Sequence, residues 1–492
     1  SRDPKANFFK KVIYSLKYFI GFSVIWGRLM NSKRVRSVKG ELAAIFNLKE
    51  TDIRAELHNI EHHRSHIASS FFASRFEKSA ILSIDGFGDF TSTMLAVGNA
   101  NKFKILDAVN YPHSLGIFYT AVTQFLGFPN YGDEYKVMGL APYGQAKYLK
   151  QLEEILKMTT DGFFKLNRKY FKQFSQGVAM EQDNGSPSID SLFTENWENL
   201  FWKPRVKGDK LEQWHIDLAT SVQRFTENVI FHMLNHLHAK TGLDNICITG
   251  GVAQNSVANG KILENTPFKH IYVPSAGHDA GTSIGSALYL YNQILGKERL
   301  EEITSAYFGK KSSQEEIVKV LEKESVKYKI YSDEDLYEKV SDKLVDGGVV
   351  GWFQGRMEFG PRALGNRSII GDPRSPTMQK NLNLKVKYRE SFRPFAPSVI
   401  REDLPEWFEM NCDSPYMLLV SNVENNKRRS MTKDEKALFG IDKLNVKRSE
   451  IPAVTHVDYS ARVQTVHKET NSKYYKLLSE FKKKTGCPVL VN

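Results

Sequence analysis

Two stretches of the chain share one pattern, a β-branched apolar run that leads directly into a glycine turn. The first is "AILSIDGFGDF", from Ala80, and the second is "NICITGG", from Asn245. Between them, apolar residues recur at steps of three or four, which predicts a long helix with one buried face. These residues are Trp214, Leu218, Val222, Phe225, Val229 and Met233. Because a strand follows the helix directly, the order is typical of an α/β layer fold.

The length of the chain predicts more than one structural unit. At 492 residues it is too long for one ordinary hydrophobic core. The composition becomes charged and polar from Gly296 to Glu324, and a new strand-like run begins at Gly347. We therefore expect one domain over residues 1–300 and a second over residues 301–492.

The overall composition excludes some classes of protein. Hydrophobic residues at 41% and charged residues at 25% are ordinary globular values and argue against disorder. The net charge of +12 fits either a polyanionic partner or a plain solvated surface. Three cysteines without CxxC spacing favour a reducing, cytoplasmic setting over a disulfide framework.

One apolar stretch near the beginning raises the question of a membrane. It is "VIYSLKYFIGFSVIWGRLM", from Val12 to Met30, and Lys17 interrupts it. The uninterrupted part is shorter than the ~20 residues that a membrane span needs. We expect a buried amphipathic helix here and no membrane span, with contact to a membrane surface as the alternative.

Three histidines lie close together in "IEHHRSHIAS". On a helix, His62 and His66 would share one face one turn apart, a spacing that allows two imidazoles to bind one metal ion. Ordinary surface or core histidines are the alternative. A third ligand could come from Asp279 in "SAGHDAGTSIGSAL", although a plain helix-capping aspartate fits that position as well.

Cationic residues are concentrated among apolar residues and glycines in the last third of the chain. They lie in "GRMEFGPRALGNRSIIGDPR" and "LNLKVKYRESFRPFAPSVI" and comprise Arg356, Arg362, Arg367, Arg374, Lys387, Arg389 and Arg393. Arginines in such surroundings need anionic partners, and phosphate suits their planar forks. Further on, His456, Asp458, Arg462 and Gln464 alternate along "THVDYSARVQ", which predicts a second wall of one anion site.

Nine motifs, taken in order, resemble the O-carbamoyltransferase family of nodulation-factor and antibiotic biosynthesis. They are "HHRSHIAS", "IDGFGD", "YPHSLGIFYTAVTQFLGF", "DEYKVMGLAPYG", "TGGVAQNS", "GHDAGTSIGSA", "GRMEFGPRALGNRSI", "VKYRESFRPFAPS" and "THVDYSARVQTV". The resemblance implies an actin-like ATPase (ribonuclease-H-like) N-terminal domain and a YrdC-like α/β C-terminal domain.

The resemblance also implies the reaction and its partners. Carbamoyl phosphate and ATP would give carbamoyladenylate and pyrophosphate, and a hydroxyl of a sugar or natural product would then take the carbamoyl group. ATP would serve as co-substrate and a divalent metal, iron by the resemblance, as cofactor. No nucleic acid partner is expected.

The resemblance assigns roles to residues that match the family's motifs. The implied metal ligands are His62, His66 and Asp279. The implied nucleotide-binding residues are Asp85, Gly250, Gly251, Asn255, Glu134 and Lys136. The implied catalytic residues at the carbamoyl phosphate site are Arg362, Lys387 and Arg462. The implied substrate-binding neighbours are Arg356, Arg367, Arg389, Arg393 and His456.

Two departures from the family pattern lead us to expect a fragment of a longer protein. Family members begin with a strand and an "HDSA"-like loop and continue after "PVLVN" with a "TSFN"-like segment, and both are absent here. Two other functions stay open from the sequence. One is a tRNA-modifying enzyme of the threonylcarbamoyl type, and the other is a nucleotide-binding module without catalysis.

Overall fold

The computed structural model describes residues 6–18, 38–176, 180–183 and 186–492. Within these residues the protein is mixed α/β, as the sequence predicts. No helix among them is long and apolar enough to cross a membrane. The amphipathic helix predicted from Val12 to Met30 is described only as far as Tyr18, and the rest lies outside the described residues.

The α-helices and β-strands are numbered in chain order. The helices are α1 (Phe8–Tyr18), α2 (Val38–Phe46), α3 (His62–Phe71), α4 (Leu115–Phe125), α5 (Glu134–Leu140), α6 (Leu149–Ile155), α7 (Gln213–Thr241), α8 (Ser256–Gly260), α9 (Ile262–Asn265), α10 (Thr282–Leu288), α11 (Gln314–Lys323), α12 (Asp333–Val345), α13 (Met378–Asn381), α14 (Leu404–Trp407), α15 (Lys433–Ala437) and α16 (Ser472–Thr485). The strands are β1 (Lys78–Gly88), β2 (Thr91–Asn99), β3 (Lys102–Asn110), β4 (Leu156–Met158), β5 (Phe164–Leu166), β6 (Met180–Asp183), β7 (Ser186–Ile189), β8 (Asn245–Thr249), β9 (His270–Tyr272), β10 (Val350–Phe353), β11 (Arg367–Ile370), β12 (Pro397–Ile400), β13 (Leu419–Asn422), β14 (Ser460–Val466) and β15 (Val489–Val491).

A five-stranded sheet in the order β3-β2-β1-β8-β9 forms the centre of the N-terminal half. The strands β1, β2 and β3 pair antiparallel, whereas β8 and β9 run parallel to β1. The two predicted strand-and-glycine-turn segments are therefore neighbours, with Ser83 opposite Thr249. Because these strands are parallel, both glycine turns lie at the same edge of the sheet, where ligands of α/β proteins commonly bind.

The predicted long helix is α7, and the apolar positions that predicted it face the core. Leu218, Val222, Val229 and Met233 are fully buried. The helix ends at Gly242, whose left-handed backbone (φ 64°) lets its N–H bond the carbonyl of His238. This is a common helix end, because glycine adopts that conformation without a steric penalty.

The C-terminal half contains a four-stranded sheet in the order β13-β14-β12-β15 and the hairpin β10-β11. Its own core includes Trp352, Val399, Val463 and Phe481. The N-terminal core, however, extends across residue 300. Its members beyond residue 300 are Ala306, Leu364, Phe392, Ala396, Tyr416, Met417, Leu418 and Val457. The two halves therefore share packed apolar side chains.

Candidate active site

Two histidines and two aspartates meet at the carboxyl edge of the five-stranded sheet. The Nε2 atoms of His62 and His66 lie 3.0 Å apart. Oδ2 of Asp85 is 2.9 Å from Nε2 of His66 and 3.3 Å from that of His62, and Oδ1 of Asp279 is 3.6 Å from both. One ligand atom from each of the four residues lies within 4.8 Å of all the others. We call these four residues the metal cluster.

Close packing of three segments produces this geometry. Helix α3 begins at His62, and its cap, Glu61, accepts a hydrogen bond from the backbone N–H of Arg64 at 2.8 Å. A Cβ atom at Gly88 would lie 2.0 Å from the His62 ring, so only glycine lets the end of β1 approach the imidazole so closely. The turn that carries Asp279 is held by α10, which packs on α3 through Gly285 and the carbonyl of Ser65.

The carboxylates control the protonation of the cluster. Burial lowers the pKa of His66, but hydrogen bonds with Asp279 and Asp85 outweigh it and raise that pKa to about 9. Burial raises the pKa of Asp85, but hydrogen bonds from His62 and His66 hold it well below its usual range. His63 differs, because burial lowers its pKa to about 3. Its ring bonds Ser83 and the carbonyl of Thr91, as expected for a supporting neighbour.

The metal cluster fits a divalent transition metal. Imidazole and carboxylate are ordinary ligands of such ions. The two imidazole nitrogens and the two carboxylate oxygens lie within 4.8 Å of one another, close enough for all four residues to hold one ion. Asp279 does not act as a helix cap, because His278 occupies that position. Asp85, expected among the nucleotide-binding residues, supplies a further carboxylate to the cluster.

The glycines of the second turn are placed where a side chain could not be accommodated. Gly250 has a φ of 95°, and a Cβ atom there would lie 2.0 Å from the carbonyl of Ile84. At Gly251, a Cβ atom would lie 2.8 Å from Oδ1 of Asp85. The backbone of this turn thus lies directly beside the metal cluster.

Asn255 and Glu134 have partners within the protein. The amides of Asn255 and Gln223 bond each other reciprocally at 3.0 and 3.1 Å. Oδ1 of Asn255 also accepts from the N–H of Ala258 at the start of α8. Glu134 accepts from the hydroxyl of Thr120 at 2.6 Å. In this structure Asn255 therefore stabilises the turn next to the metal cluster.

Five cations of the C-terminal half influence one another electrostatically, and we call them the cation cluster. They are Arg362, Lys387, Arg389, Arg393 and Arg462. The four arginines are partly buried, whereas Lys387 is exposed. The Nε atoms of Arg362 and Arg462 are buried without a hydrogen-bond partner among the described residues. Unpaired buried donors are rare in folded proteins, and a bound water or anion would satisfy these two.

The mutual repulsion of these cations appears in their titration. Burial, and then the charge of Arg393, lowers the pKa of Arg362 to about 10 and that of Arg389 to about 10. The pKa of Arg462 is lowered by burial and then by the charges of three arginines of the cluster. Burial and the neighbouring arginines also lower the pKa of Lys387. An anion bound here would relieve this repulsion.

Other residues of the predicted anion site have contacts elsewhere. Arg367 donates to backbone carbonyls, including those of Gln354 and Asn366, and stacks on Phe353 at 3.6 Å. Arg356 is exposed and donates to the carbonyl of Gly309, and Arg374 pairs with Asp372.

The prediction that four alternating residues share one extended segment is wrong in part. Strand β14 begins at Ser460, so His456 and Asp458 lie in the turn before it and only Arg462 and Gln464 lie on the strand. His456 is buried, and its ring packs edge-on against Tyr143 of the N-terminal half, with 5.2 Å between the ring centroids.

The metal cluster and the cation cluster face each other across the junction of the two halves. A Cβ atom at Gly360 would lie 2.5 Å from the carbonyl of Ser275, so the arginine-rich loop lies against the turn that carries Asp279. Between the clusters lies His278. Burial lowers its pKa, and the charges of Asp279 and Arg362 both act on it. Sequence analysis missed His278, because a single histidine beside a predicted ligand has no pattern of its own.

Comparison with known proteins identifies the class. Residues 11–288 match the family model described as carbamoyltransferase N-terminus, and residues 341–492 match the one described as carbamoyltransferase C-terminus. The chain belongs to the carbamoyltransferase family of enzymes, which confirms the resemblance found in its motifs.

Individual relatives agree with this family. The chain is 45% identical to the uncharacterized protein sll1178 of Synechocystis, over 97% of this chain and 76% of that protein. It is 37% identical to the nodulation protein NolNO of Sinorhizobium fredii, over 92% and 61% of the two chains. With the nodulation protein NolO of Bradyrhizobium diazoefficiens it shares 36% identity, over 88% and 72%.

The likeness to solved structures is remote. A crystal structure of full-length HypF in the phosphate- and nucleotide-bound form matches 51% of this chain and 38% of that chain. The identity is 14% and the TM-score 0.27. At this TM-score the likeness supports no conclusion about the fold.

Proposed function

We propose that the protein is an ATP-dependent O-carbamoyltransferase that forms carbamoyladenylate and transfers its carbamoyl group to a hydroxyl. The observation that carries this proposal is the cation cluster, in which five positive groups lie close together beside the turn that carries Asp279. A phosphate-bearing substrate suits the cation cluster, and its pairing with the metal cluster suits a reaction between a phosphorylated donor and a nucleotide.

The first half-reaction would take place at the cation cluster. Carbamoyl phosphate and water give carbamate and phosphate, and a carbamate oxygen then attacks the α-phosphorus of ATP, from which pyrophosphate leaves. Arg362 and Arg462 would donate to the phosphate oxygens with their unpaired Nε–H groups, and Lys387 would add a further positive charge. Converging donors of this kind stabilise the charge that develops during phosphoryl chemistry.

The second half-reaction would take place at the carboxyl edge of the five-stranded sheet. The backbone of Gly250 and Gly251 would hold the adenylate there. His62, His66, Asp85 and Asp279 would hold a divalent metal, iron by family resemblance, which would polarise the carbamoyl oxygen. The acceptor hydroxyl forms a bond to the carbamoyl carbon and loses its proton, while the bond from that carbon to the adenylate oxygen breaks and AMP leaves.

Features of the fold support the finer assignments. The order of three antiparallel strands followed by two parallel ones supports a ribonuclease-H-like, actin-type N-terminal domain. We assign residues 301–492 to a YrdC-like domain on the same family resemblance. The three cysteines are free thiols, which supports a cytoplasmic setting. As acceptor we propose a glycan or another hydroxyl-bearing small molecule.

Pyrophosphate release tests the first half-reaction without any acceptor. The protein, loaded with metal, is mixed with ATP and carbamoyl phosphate, and pyrophosphate is followed over time. We expect release by the wild type and its loss in Arg362→Ala and Lys387→Ala. The matched control is Lys385→Ala, which removes an exposed lysine two residues from Lys387 and should keep the wild-type rate.

Pyrophosphate release and a measurement of RNA binding distinguish this proposal from the two alternatives, a non-catalytic nucleotide-binding module and a tRNA-modifying enzyme. Absence of release by a folded, metal-loaded wild type contradicts the proposal, and nucleotide binding without release favours a module that does not catalyse. A tRNA-modifying enzyme would bind RNA with an affinity that falls steeply as salt rises, because binding releases counterions. An enzyme acting on a neutral sugar hydroxyl would show no such binding.

A further inference from the structure

One acidic residue lies within the loop that supplies three of the five cations. Glu390 follows Arg389 directly and precedes Arg393 by three residues. Its Oε2 atom is 3.6 Å from the Arg393 guanidinium. Its Oε1 atom, in contrast, is 3.1 Å from Nζ of Lys136 in helix α5. The carboxylate therefore lies between a cation of the cluster and a lysine of the N-terminal half.

Lys136 is held firmly in its place. Its ammonium is also 2.9 Å from Oδ1 of Asp133, which is almost fully buried at the start of the same helix. It lies 5.4 Å from the centre of the Phe128 ring, and only 13% of its side chain is exposed. Because these contacts restrain Lys136, its ion pair with Glu390 determines the position of the carboxylate rather than that of the lysine.

Helix α5 holds the loop at two further points. The guanidinium of Arg393 stacks on the ring of Tyr135 at 4.2 Å. A Cβ atom at Gly139 would lie 3.8 Å from Cδ of Pro394, an ordinary packing distance. The loop is thus close enough to the helix for one ion pair to determine where Glu390 points.

We propose that Lys136 is a positioning residue, which holds one oxygen of the Glu390 carboxylate at helix α5 and so leaves the cation cluster open to an anionic substrate. This inference rests on the proposed anion site. Opposite charges within a few ångströms attract strongly when partly buried. Without Lys136, the second oxygen of Glu390 would also be free to turn towards Arg389 and Arg393, and the carboxylate would compete with phosphate for these guanidinium groups.

Binding of inorganic phosphate, measured by isothermal titration calorimetry at fixed ionic strength, tests this competition. We expect Lys136→Met to weaken phosphate binding about tenfold, the order of effect of one partly buried charge pair. Adding Glu390→Gln to that variant removes the competing carboxylate and should restore binding to within about threefold of the wild type. The KM for carbamoyl phosphate in the pyrophosphate assay should change in parallel, with little change in kcat.

Rescue separates this role from a structural one, because a second substitution would not repair lost packing. If the double variant binds as weakly as Lys136→Met, or if Lys136→Met binds like the wild type, the inference is wrong. Thermal melts check the fold, and Lys136→Gln, which keeps a donor for Asp133, replaces the methionine variant if that one unfolds.

Two control variants, Lys427→Met and Arg362→Ala, complete the phosphate-binding experiment. Lys427→Met is the matched control, since Lys427 is 15% exposed, lies 2.9 Å from Glu406 and stacks on Trp407 at 4.3 Å. It should bind phosphate like the wild type. If the wild type binds phosphate no better than Arg362→Ala, the anion site itself is wrong and this inference falls with it. Failure of rescue in a protein that binds through Arg362 overturns the inference alone.

Discussion

The metal cluster and the cation cluster differ in how far their charges compensate one another. In the metal cluster, two imidazoles face two carboxylates, and the proton on His66 is stabilised by both acids. In the cation cluster, five positive groups lie together, and the acid beside them, Glu390, is shared between Lys136 at 3.1 Å and Arg393 at 3.6 Å. The first cluster is stable when empty because its own charges compensate. The second is repulsive when empty, so a bound anion should stabilise it.

The largest expected effect comes from removing one cation. Arg462→Met should lower pyrophosphate release by about 10²- to 10³-fold, as expected for the loss of one donor to a developing anion. In buffer without phosphate, the same change should raise the free energy of unfolding by about 1 kcal/mol. The reason is that it removes a buried positive charge that other arginines of the cluster repel. Kinetics and chemical denaturation measure the two effects.

The free energy of unfolding of Arg462→Met is the more decisive of these two measurements. A destabilised Arg462→Met protein would show that Arg462 is compensated in the folded chain, and the contrast between the clusters would fail. Arg428→Met is the control, because its guanidinium already bonds Glu409 and the carbonyl of Val423. It should lose stability.

The second-largest effect is expected from removing one acid of the metal cluster. Asp85→Ala should weaken the binding of Mn²⁺ or Fe²⁺ about 100-fold, since even residues that only support a metal ligand contribute 10- to 100-fold. Metal content after dialysis and calorimetric titration measure the loss. Asp244→Ala, at an exposed ion pair with Lys269, should bind metal normally. Undiminished binding by Asp85→Ala would return Asp85 to the nucleotide-binding role expected from the sequence.

The dependence on pH should differ between the clusters. A metal must displace the proton of His66, whose pKa is about 9, so metal affinity should rise about tenfold per pH unit below 9 and then level off. The arginines stay charged from pH 7 to 8, so phosphate affinity over this interval should follow only the ionisation of phosphate itself. Titrations at pH 6, 7 and 8 measure both trends, and a metal affinity independent of pH would contradict the protonated cluster.

His66 also determines how the stability of the metal-free protein changes with pH. The pKa of His66 in the folded protein lies above its usual value of 6.5. Its contribution to the stability of the metal-free protein is therefore fully present below about pH 6.5 and is lost as the pH rises towards 9. Urea denaturation of the metal-free protein over this range should show the decline, and His66→Asn should flatten it.

How much could be predicted from the sequence depended on the range of the interactions. Helix α7 and the pair His62 and His66 were predictable, because helical periodicity places such residues on one face. The contribution of Asp85 to the metal cluster was not, since the direction of its carboxylate depends on how β1 meets α3. Nor does local sequence separate Arg362, which faces the other cations, from Arg367, which donates to backbone carbonyls. That difference arises only when β14, the loop of Lys387 and helix α5 come together.

The smallest expected effect therefore concerns an arginine outside the cation cluster. Arg367→Ala should change phosphate affinity by less than about threefold, because its guanidinium stacks on Phe353 and donates to the carbonyls of Gln354 and Asn366. It should instead lower the free energy of unfolding by about 1 kcal/mol, because the Gln354 carbonyl loses its arginine donor, whereas the Asn366 carbonyl still accepts from the N–H of Gln354. Calorimetric titration and urea denaturation separate the two outcomes. A tenfold loss of phosphate affinity at normal stability would place Arg367 in the anion site after all, and the cation cluster would then extend to the hairpin β10-β11.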